Sequence, residues 1–391
     1  MAPSPGVDVV VVGAGVVGLA AASALARSGR SVLVMERHGG VAREVTSRNS
    51  QVIHAGIYSP PGSLKSTLCI RGRELLYPWL KGRGVAHRKV GKLIVAVDES
   101  EMVRIAGLLD RGLANGLSGL ALLGAQELRD REPRVVGSGA LYSPESGIVD
   151  ASGFALSLLA DAETHGATLL LHHEVVSLEP CAWGWRLGAR VMGGIGGMGG
   201  EDTQFVDCEA VVNAAGLRAD GLAERAGMDL DARGYRLHPC KGSYFALAGA
   251  AGLKLRHLVY PAPPAVSGPG GGGLGIHATL DLAGGIRFGP DAEYVVDGDL
   301  AVDPGKARSF AQAVGRYLPG VRPAWLLPDF AGLRPKLAGP GEGFRDFVVK
   351  EESEFGFPGL INCIGIESPG LTAALAIAER VVGQVVGPGA G

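Results

Sequence analysis

The stretch Val7–Arg37, VDVVVVGAGVVGLAAASALARSGRSVLVMER, decides the fold. Its run Val9 to Val12 is continuously apolar and does not alternate with polar residues, the pattern of a strand buried on both faces of a parallel sheet. Gly13 makes the tight turn that follows, Gly15 has no side chain to hold the backbone away from a pyrophosphate, and Gly18 lets a helix over Val16 to Arg27 pack closely on the strand. The N-terminus of that helix presents free N–H groups and a partial positive charge to an anion. A second strand, Ser31 to Met35, is closed by Glu36, whose carboxylate can accept hydrogen bonds from both ribose hydroxyls and would repel a 2′-phosphate. Strand, glycines, helix, strand and acid in this order form a dinucleotide cradle rather than a chance glycine-rich turn, and favour FAD or NAD over NADP. The motif leaves the choice between those two open.

At 391 residues the chain exceeds the usual size of a single core, so two domains are expected. Charge is nearly balanced, with 37 basic and 39 acidic residues and no Lys/Arg block, so nothing suggests a nucleic-acid surface or polybasic membrane patch and a small-molecule partner is expected. The N-terminal MAPSPGVD has no basic region followed by an apolar run, so no secretory signal is expected. The longest apolar stretch, Val7 to Leu25, is punctuated by glycine and accounted for by strand, turn and helix, so no integral membrane segment is expected. Five scattered cysteines, Cys69, Cys181, Cys208, Cys240 and Cys363, form no CxxC pair. Neither a disulfide framework nor a metal site is indicated, and a reducing cytoplasm is the expected location, with peripheral membrane association left open.

Further along, helical spacing of Lys65, Cys69, Gly72, Leu75 and Leu76 predicts a helix over Leu64 to Leu80. KLIVAV at Lys92 to Val97 reads as a strand, and Glu99 to Asn115 as a helix with Met102, Ile105, Leu108 and Leu109 on one face. Glu127 to Glu132 reads as a short helix stopped by Pro133. Asp150 to Gly166 predicts a helix with Phe154, Leu156, Leu158 and Leu159 as its apolar content, followed by strands at Thr168 to Leu171 and Glu174 to Glu179. The run Gly193 to Gly200, GGIGGMGG, reads as a flexible hairpin tip without chemistry. The strand Glu209 to Val212 enters a second glycine turn, NAAGLRADGLAERAG, which should face the same crevice as the first. Arg236 to Phe330 has a different texture, with short strands such as Ser243 to Leu247 and Gly285 to Phe288 and a glycine-rich segment at Gly268 to Gly275. After it come FAGLRPKL at Phe330 to Leu337, a strand at Leu360 to Ile364 and a last helix at Leu371 to Val382. This order implies a discontinuous nucleotide domain.

Several segments carry a resemblance: NSQVIHAGIYSPPGSLKSTLC at Asn49 to Cys69, GKLIVAV at Gly91 to Val97, SGIVD at Ser146 to Asp150, KGSYF at Lys241 to Phe245, VYP at Val259 to Pro261, LGIH at Leu274 to His277, FGPDA at Phe288 to Ala292 and SPGLTAALAIAE at Ser368 to Glu379. Through them the chain resembles the FAD-dependent oxidoreductases of the D-amino-acid-oxidase type, and among these the L-2-hydroxyglutarate dehydrogenases. The resemblance implies an α/β fold: a discontinuous Rossmann-like FAD-binding domain built from residues 1–85, 146–225 and 330–391, and a mixed β-sheet substrate domain (α+β) built from 86–145 and 226–329. It implies FAD, noncovalent or occasionally covalent, and oxidation of a 2-hydroxy acid, with electrons passed to oxygen or a quinone. It also implies that Gly13, Gly15, Val17 and Gly18 line the FAD at the first turn, with Glu36 and Arg37 beyond them. Asn49, Ser50 and His54 would line it in the next segment, Val175, Ala215 and Gly216 in the middle of the chain, and Gly370, Leu371 and Thr372 at the last helix, whose N-terminus would point at the flavin pyrimidine. The chain departs from the family at Ser47 and Arg48, where a glycine–histidine pair is usual, at Lys241, where an arginine is usual, and in the proline and glycine run between Pro261 and Gly273. All of these touch the expected substrate pocket.

Oxidising a hydroxy acid requires removal of a hydride from C2 and of the hydroxyl proton, so the site needs a base near working pH. His54 in IHAG is the first choice for that catalytic role, the alternative being a histidine that orients the ring without moving a proton. His277 could be the base or bind a carboxylate, or be a buried structural histidine. For the substrate carboxylate Arg334 in GLRPK is the leading clamp, against a fork to backbone carbonyls, and Lys241 the next cation, against a solvated loop lysine. Tyr244 and Tyr260 would donate to a substrate oxygen or simply line the pocket. Competing readings are an amine or amino-acid oxidase on the same scaffold, a flavin-binding module without turnover, and an NAD-only dehydrogenase.

Overall fold

In the computed structural model, which describes residues 6–192, 203–264, 275–296 and 298–386, the opening strand Val7–Val12 pairs in parallel with Val32–Met35 on one side and Thr203–Asn213 on the other. Val12 stands level with both Met35 and Asn213. Thr168–Leu170 extends this sheet beyond Val32–Met35, and Phe357–Ile364 joins in parallel beside Val211, Val212 and Asn213. Its alternate residues enter different cores. Val9 and Val11 pack with Leu19, Leu25, Phe154, Ile361 and Ile377 from the flanking helices and the neighbouring strand. Val10 and Val12 pack on the other face with Trp185, Leu187, Val211, Leu222 and Ile364. Both faces being covered is why the run does not alternate.

The helices begin where their caps lie. Val16–Arg27 follows Gly15, while Leu64–Gly82 starts after Ser63, whose hydroxyl accepts the N–H of Ser66. Asp98 caps Glu99–Ala114 through the N–H of Glu101, and Asp150 caps Ala151–Thr164 through that of Ser152. At the last three starts a short side-chain oxygen satisfies a donor that the helix itself cannot. The short helix spans Ala125–Arg131, starting two residues earlier than expected, because Glu127 reaches back to the N–H of Gly124. Within Ala151–Thr164, Leu156 turns outward and is 56% exposed, so it takes no part in the core.

A nine-stranded sheet forms the second layer. Lys92–Ala96 lies in it between Gly139–Ser143, antiparallel, and Leu258–Pro261, parallel. His238–Leu247 pairs antiparallel with Leu326–Lys336 along nearly its whole length. The first is longer than the expected strand Ser243 to Leu247, and the second takes in most of Phe330 to Leu337, where no element is expected from sequence, because Pro239, Gly242, Gly332 and Pro335 mask a period of two that the pairing sustains. Helix Ala307–Gly315, not anticipated from sequence, lays Phe310 and Val314 on the core with Phe245, Tyr260 and Phe288. A small sheet of Val52–Ile53, Gly147–Val149 and His87–Arg88 lies between chain segments of the two larger ones. The runs 193–200 and 268–274, expected as glycine-rich loops, lie outside the described residues; the strands Gly184–Val191 and Thr203–Asn213 on either side of the first pair antiparallel. Among the described residues no helix is long and apolar enough to cross a membrane.

Candidate active site

Four parallel strands end at one rim, and residues at or beside their ends, Val12, Met35, Ala214 and Cys363, open onto a cavity of about 770 Å³ whose opposite wall is the nine-stranded sheet. The cradle is built as its glycines require. Gly13 has φ +102, a backbone that side-chain-bearing residues rarely adopt, and a Cβ there would lie 2.6 Å from the Ala214 carbonyl oxygen. At Gly18 a Cβ would overlap the carbonyl oxygen of Gly13, so this glycine sets the helix against the strand and does not itself line the cavity. Gly13, Gly15 and Val17 do line it. The hydroxyl of Thr46 accepts the Val16 N–H at 3.0 Å and ties the following loop to the start of the helix.

Glu36 is buried at the end of its strand, one carboxylate oxygen accepting the Ala14 N–H at 2.9 Å and the other the His38 N–H at 2.8 Å. Each oxygen keeps a second lone pair for a ribose hydroxyl. Arg37 lines the cavity but is turned to Glu44, which it meets at 2.6 Å. Burial pushes the Glu44 carboxyl up, and the His38 hydrogen bond with the Arg218 and Arg37 guanidinium groups outweighs it, holding the group below its ordinary range. Val175, Ala215 and Gly216 line the same end of the cavity.

Asn49 and Ser50 also line it, although the Asn49 amide is engaged in its own loop, donating to the Val45 and Thr46 carbonyls and accepting the Gln51 N–H. Ser50 shares a 2.9 Å hydrogen bond with the Tyr244 hydroxyl. Gly370 and Leu371, the first residues of the last helix, face the cavity. Thr372, expected beside the cofactor, is fully buried behind them and does not line the cavity. Its hydroxyl accepts the His54 N–H at 3.0 Å, so it holds the histidine's backbone.

His54 projects from the end of Val52–Ile53, with Nε2 3.2 Å from the Ser368 hydroxyl. Burial first, then the positive charge of Lys92 and the neighbouring His277, hold its imidazole well below the ordinary 6.5. His277 stacks flat on Tyr260, ring centroids 3.5 Å apart, and both line the cavity. Arg334 lines the cavity while one of its terminal N–H groups donates to the Asp291 carbonyl, which anchors the guanidinium and leaves its other donors. Tyr244 stacks on Phe330 at 4.5 Å. Lys241, expected as a substrate cation, does not line the cavity and lies 3.5 Å from Asp299. The strand's period of two decides this, since Gly242 and Tyr244 take the cavity face and Lys241 the opposite one.

Sequence reading missed four charged groups here. Lys65, Lys336 and Glu367 line the cavity, and Lys92 lies behind its floor, 1% exposed, with its ammonium 4.1 Å from the Tyr260 ring centre and 5.5 Å from that of Tyr58. Among the described residues no carboxylate pairs with Lys92. The segment LKSTLC placed Lys65 on the same helical face as Cys69, a signal that was available.

Glycines that only glycine can occupy, a helix N-terminus opening on the cavity and a buried ribose-side acid together fit an adenine dinucleotide. A family model described as "FAD dependent oxidoreductase" matches residues 8–384. The mitochondrial L-2-hydroxyglutarate dehydrogenase of Arabidopsis thaliana is 39% identical over 416 residues, covering 97% of this chain and 83% of that protein. A glycerol 3-phosphate dehydrogenase of Caloramator mitchellensis is 29% identical over 378 residues, 96% of this chain and 73% of that one. Among solved structures, the dithionite-reduced L-alpha-glycerophosphate oxidase of Mycoplasma pneumoniae with FAD bound superposes with a TM-score of 0.82 at 25% identity, covering 97% of this chain and 95% of that chain.

Proposed function

The chain belongs to the FAD-dependent oxidoreductases, and from that premise we propose that it oxidises L-2-hydroxyglutarate to the 2-oxo acid. The observation that carries this reading is the end-to-end similarity to an L-2-hydroxyglutarate dehydrogenase, joined to a cavity lined by both His54 and the anchored guanidinium of Arg334. FAD, when bound, supplies the acceptor for the hydride leaving substrate C2. Gly13, Gly15 and Val17 would hold its pyrophosphate, Glu36 its ribose, and Ala215, Gly216, Gly370 and Leu371 the remainder.

His54 Nε2 takes the hydroxyl proton. An imidazole kept neutral by its surroundings can accept a proton at neutral pH, and the Ser368 hydroxyl together with the Thr372 contact fixes where the ring points. Arg334 clamps the C1 carboxylate through its remaining donors, and the Asp291 carbonyl keeps the fork from rotating. Tyr260 and His277 form a flat stacked wall that excludes water from C2. Oxygen or a quinone would be the final electron acceptor. For the domain division, the pairing of Leu326–Lys336 with His238–Leu247 and the packing of Met228, Leu230 and Leu237 with residues of the first sheet support boundaries near Leu237 and Lys336, a few residues beyond the expected 226 and 330.

Anaerobic mixing of the purified holoenzyme with L-2-hydroxyglutarate, amino acids, N-methyl amines and glycerol 3-phosphate tests this. Rapid bleaching of the flavin absorbance by L-2-hydroxyglutarate is expected. Bleaching by amines or glycerol 3-phosphate alone would overturn the assignment.

A further inference from the structure

One wall of the cavity carries more positive charge than any role above uses. Lys336 follows Arg334 by two positions on the strand Leu326–Lys336, so both side chains emerge on the cavity face about 7 Å apart. Opposite them Glu367 accepts from the Lys65 ammonium at 2.9 Å and lies 3.7 Å from that of Lys336. The three side chains are nearly buried, at 9% for Lys65 and 12% each for Glu367 and Lys336. Burial pushes the Glu367 carboxyl up, but Lys65, Lys336 and Arg334 outweigh it and keep the group ionised.

The charges do not balance. Three cations, Arg334, Lys336 and Lys65, share one carboxylate. Asp346 is close to Lys65 but turns its oxygens to the N–H groups of Leu64, Lys65 and Phe347. Glu36 and Glu44 serve the other end of the cavity, on backbone N–H groups and on Arg37, His38 and Arg218. Lys65 also faces the rings of Phe344 and Phe347, each 5.3 Å away, which favours a cation there without neutralising it. With Glu367 between the ammonium groups and Asp346 set on backbone N–H groups, the cavity wall still carries a net positive charge, which is costly to bury unless an anion sits against it.

We propose that Lys336 and Lys65, held apart and aimed by Glu367, form the seat of the substrate's second carboxylate, so that the enzyme selects short dicarboxylic 2-hydroxy acids over monocarboxylic ones. This rests on the hydroxy-acid reading above and adds to it the part of the site that measures chain length and charge. With the C1 carboxylate on Arg334, the step of two residues to Lys336 matches the reach of a five-carbon diacid. A monocarboxylic acid of the same length would place a methyl group against two ammonium groups and leave them uncompensated.

The test compares L-2-hydroxyglutarate with L-2-hydroxyvalerate, in which a methyl group replaces the distal carboxylate. The holoenzyme should prefer the diacid by about 100-fold or more in kcat/KM, and Lys336→Met and Lys65→Met should each lower that preference by about 10- to 100-fold. Lys336→Arg should restore most of it. Binding gives a readout apart from turnover: the flavin absorbance change on titration with 2-oxoglutarate and with 2-oxovalerate should show the same collapse in the ratio of the two Kd values. A preference unchanged in both Met variants overturns the proposal, as does a wild-type enzyme that takes both acids equally. Equal losses for both acids, with an altered flavin spectrum before substrate is added, would assign the cluster to the cofactor instead. If neither acid bleaches the wild-type flavin while an amine or glycerol 3-phosphate does, the hydroxy-acid reading itself fails and the carboxylate seat with it.

Discussion

Replacing Lys92 with methionine should make the protein more stable and the enzyme worse. The lysine is 1% exposed, and burial lowers its ammonium from the ordinary 10.5 to about 7, with only the neighbouring Cys69 pulling the other way. At about 1.4 kcal/mol for each factor of ten in proton affinity, holding that charge inside costs about 5 kcal/mol below pH 7. Between pH 7 and 10.5 only the unfolded chain keeps the proton, so it binds more protons than the native state and wild-type stability rises with pH across this window. Methionine fills a similar volume without the charge. The Lys92→Met variant should therefore exceed wild type by about 3–5 kcal/mol at pH 6, an advantage that shrinks to about 1 kcal/mol or less by pH 10. Urea midpoints of the holoenzyme, measured from pH 6 to 10 at fixed saturating FAD, read this difference without a contribution from changing ligand occupancy. In the same variant His54 loses a repelling cation, so its proton affinity rises and the acid limb of kcat/KM moves to higher pH. A stability difference that is flat across pH, or a variant less stable at pH 6, would refute the account of Lys92 as a buried charge.

Other consequences follow from single contacts. In the wild-type enzyme the acid limb of kcat/KM for L-2-hydroxyglutarate should fall below pH 6.5, because His54 stays neutral there, and His54→Gln should lower the rate of flavin reduction by about 100-fold or more and abolish that limb; a limb unchanged in the variant would remove His54 as the base. Gly18→Ala drives a methyl group into the Gly13 carbonyl and should destabilise the protein by about 3 kcal/mol while stripping its flavin, seen as a fall in the ratio of visible to ultraviolet absorbance after gel filtration. Stoichiometric FAD in that variant would contradict the packing argument. Burial pushes the Cys363 thiol up to about 12, which leaves no thiolate to attack the flavin, so acid or detergent denaturation should release all of the FAD. Flavin fluorescence that stays with the denatured chain would show otherwise.

The cradle was legible because every part of it is local. Valines that face two cores have no polar partner to alternate with, and the glycine turn, helix and acid follow within one βαβ half whose register no distant strand has to supply. The nine-stranded sheet was less so. His238–Leu247 and Leu326–Lys336 contain prolines and glycines that read as turns, and they become strands only because each supplies the other with partners across roughly eighty to a hundred residues of chain. Helix Ala307–Gly315 was missed for a related reason: its apolar positions, Phe310, Ala311 and Val314, are few, and they matter only once the sheet beneath them exists.

The same contrast explains which site residues were found. A dinucleotide is held largely by backbone, through N–H groups at a helix start and glycines that let the chain approach, so its signal is written in neighbouring residues and survives without knowledge of the fold. A small acid is recognised by side chains, and on a strand the face a side chain takes depends on phase. Lys241 and Gly242 differ by one position, and that step alone sends the lysine to Asp299 and the glycine to the cavity. By the same rule Lys336 shares the cavity with Arg334, although the sequence alone assigns it no role. Phase is set by pairing, and pairing is nonlocal. A departure from the family at position 241 therefore leaves Arg334, Lys336 and Lys65 untouched, cations of the cavity wall drawn from two segments more than two hundred and fifty residues apart and brought together at Glu367.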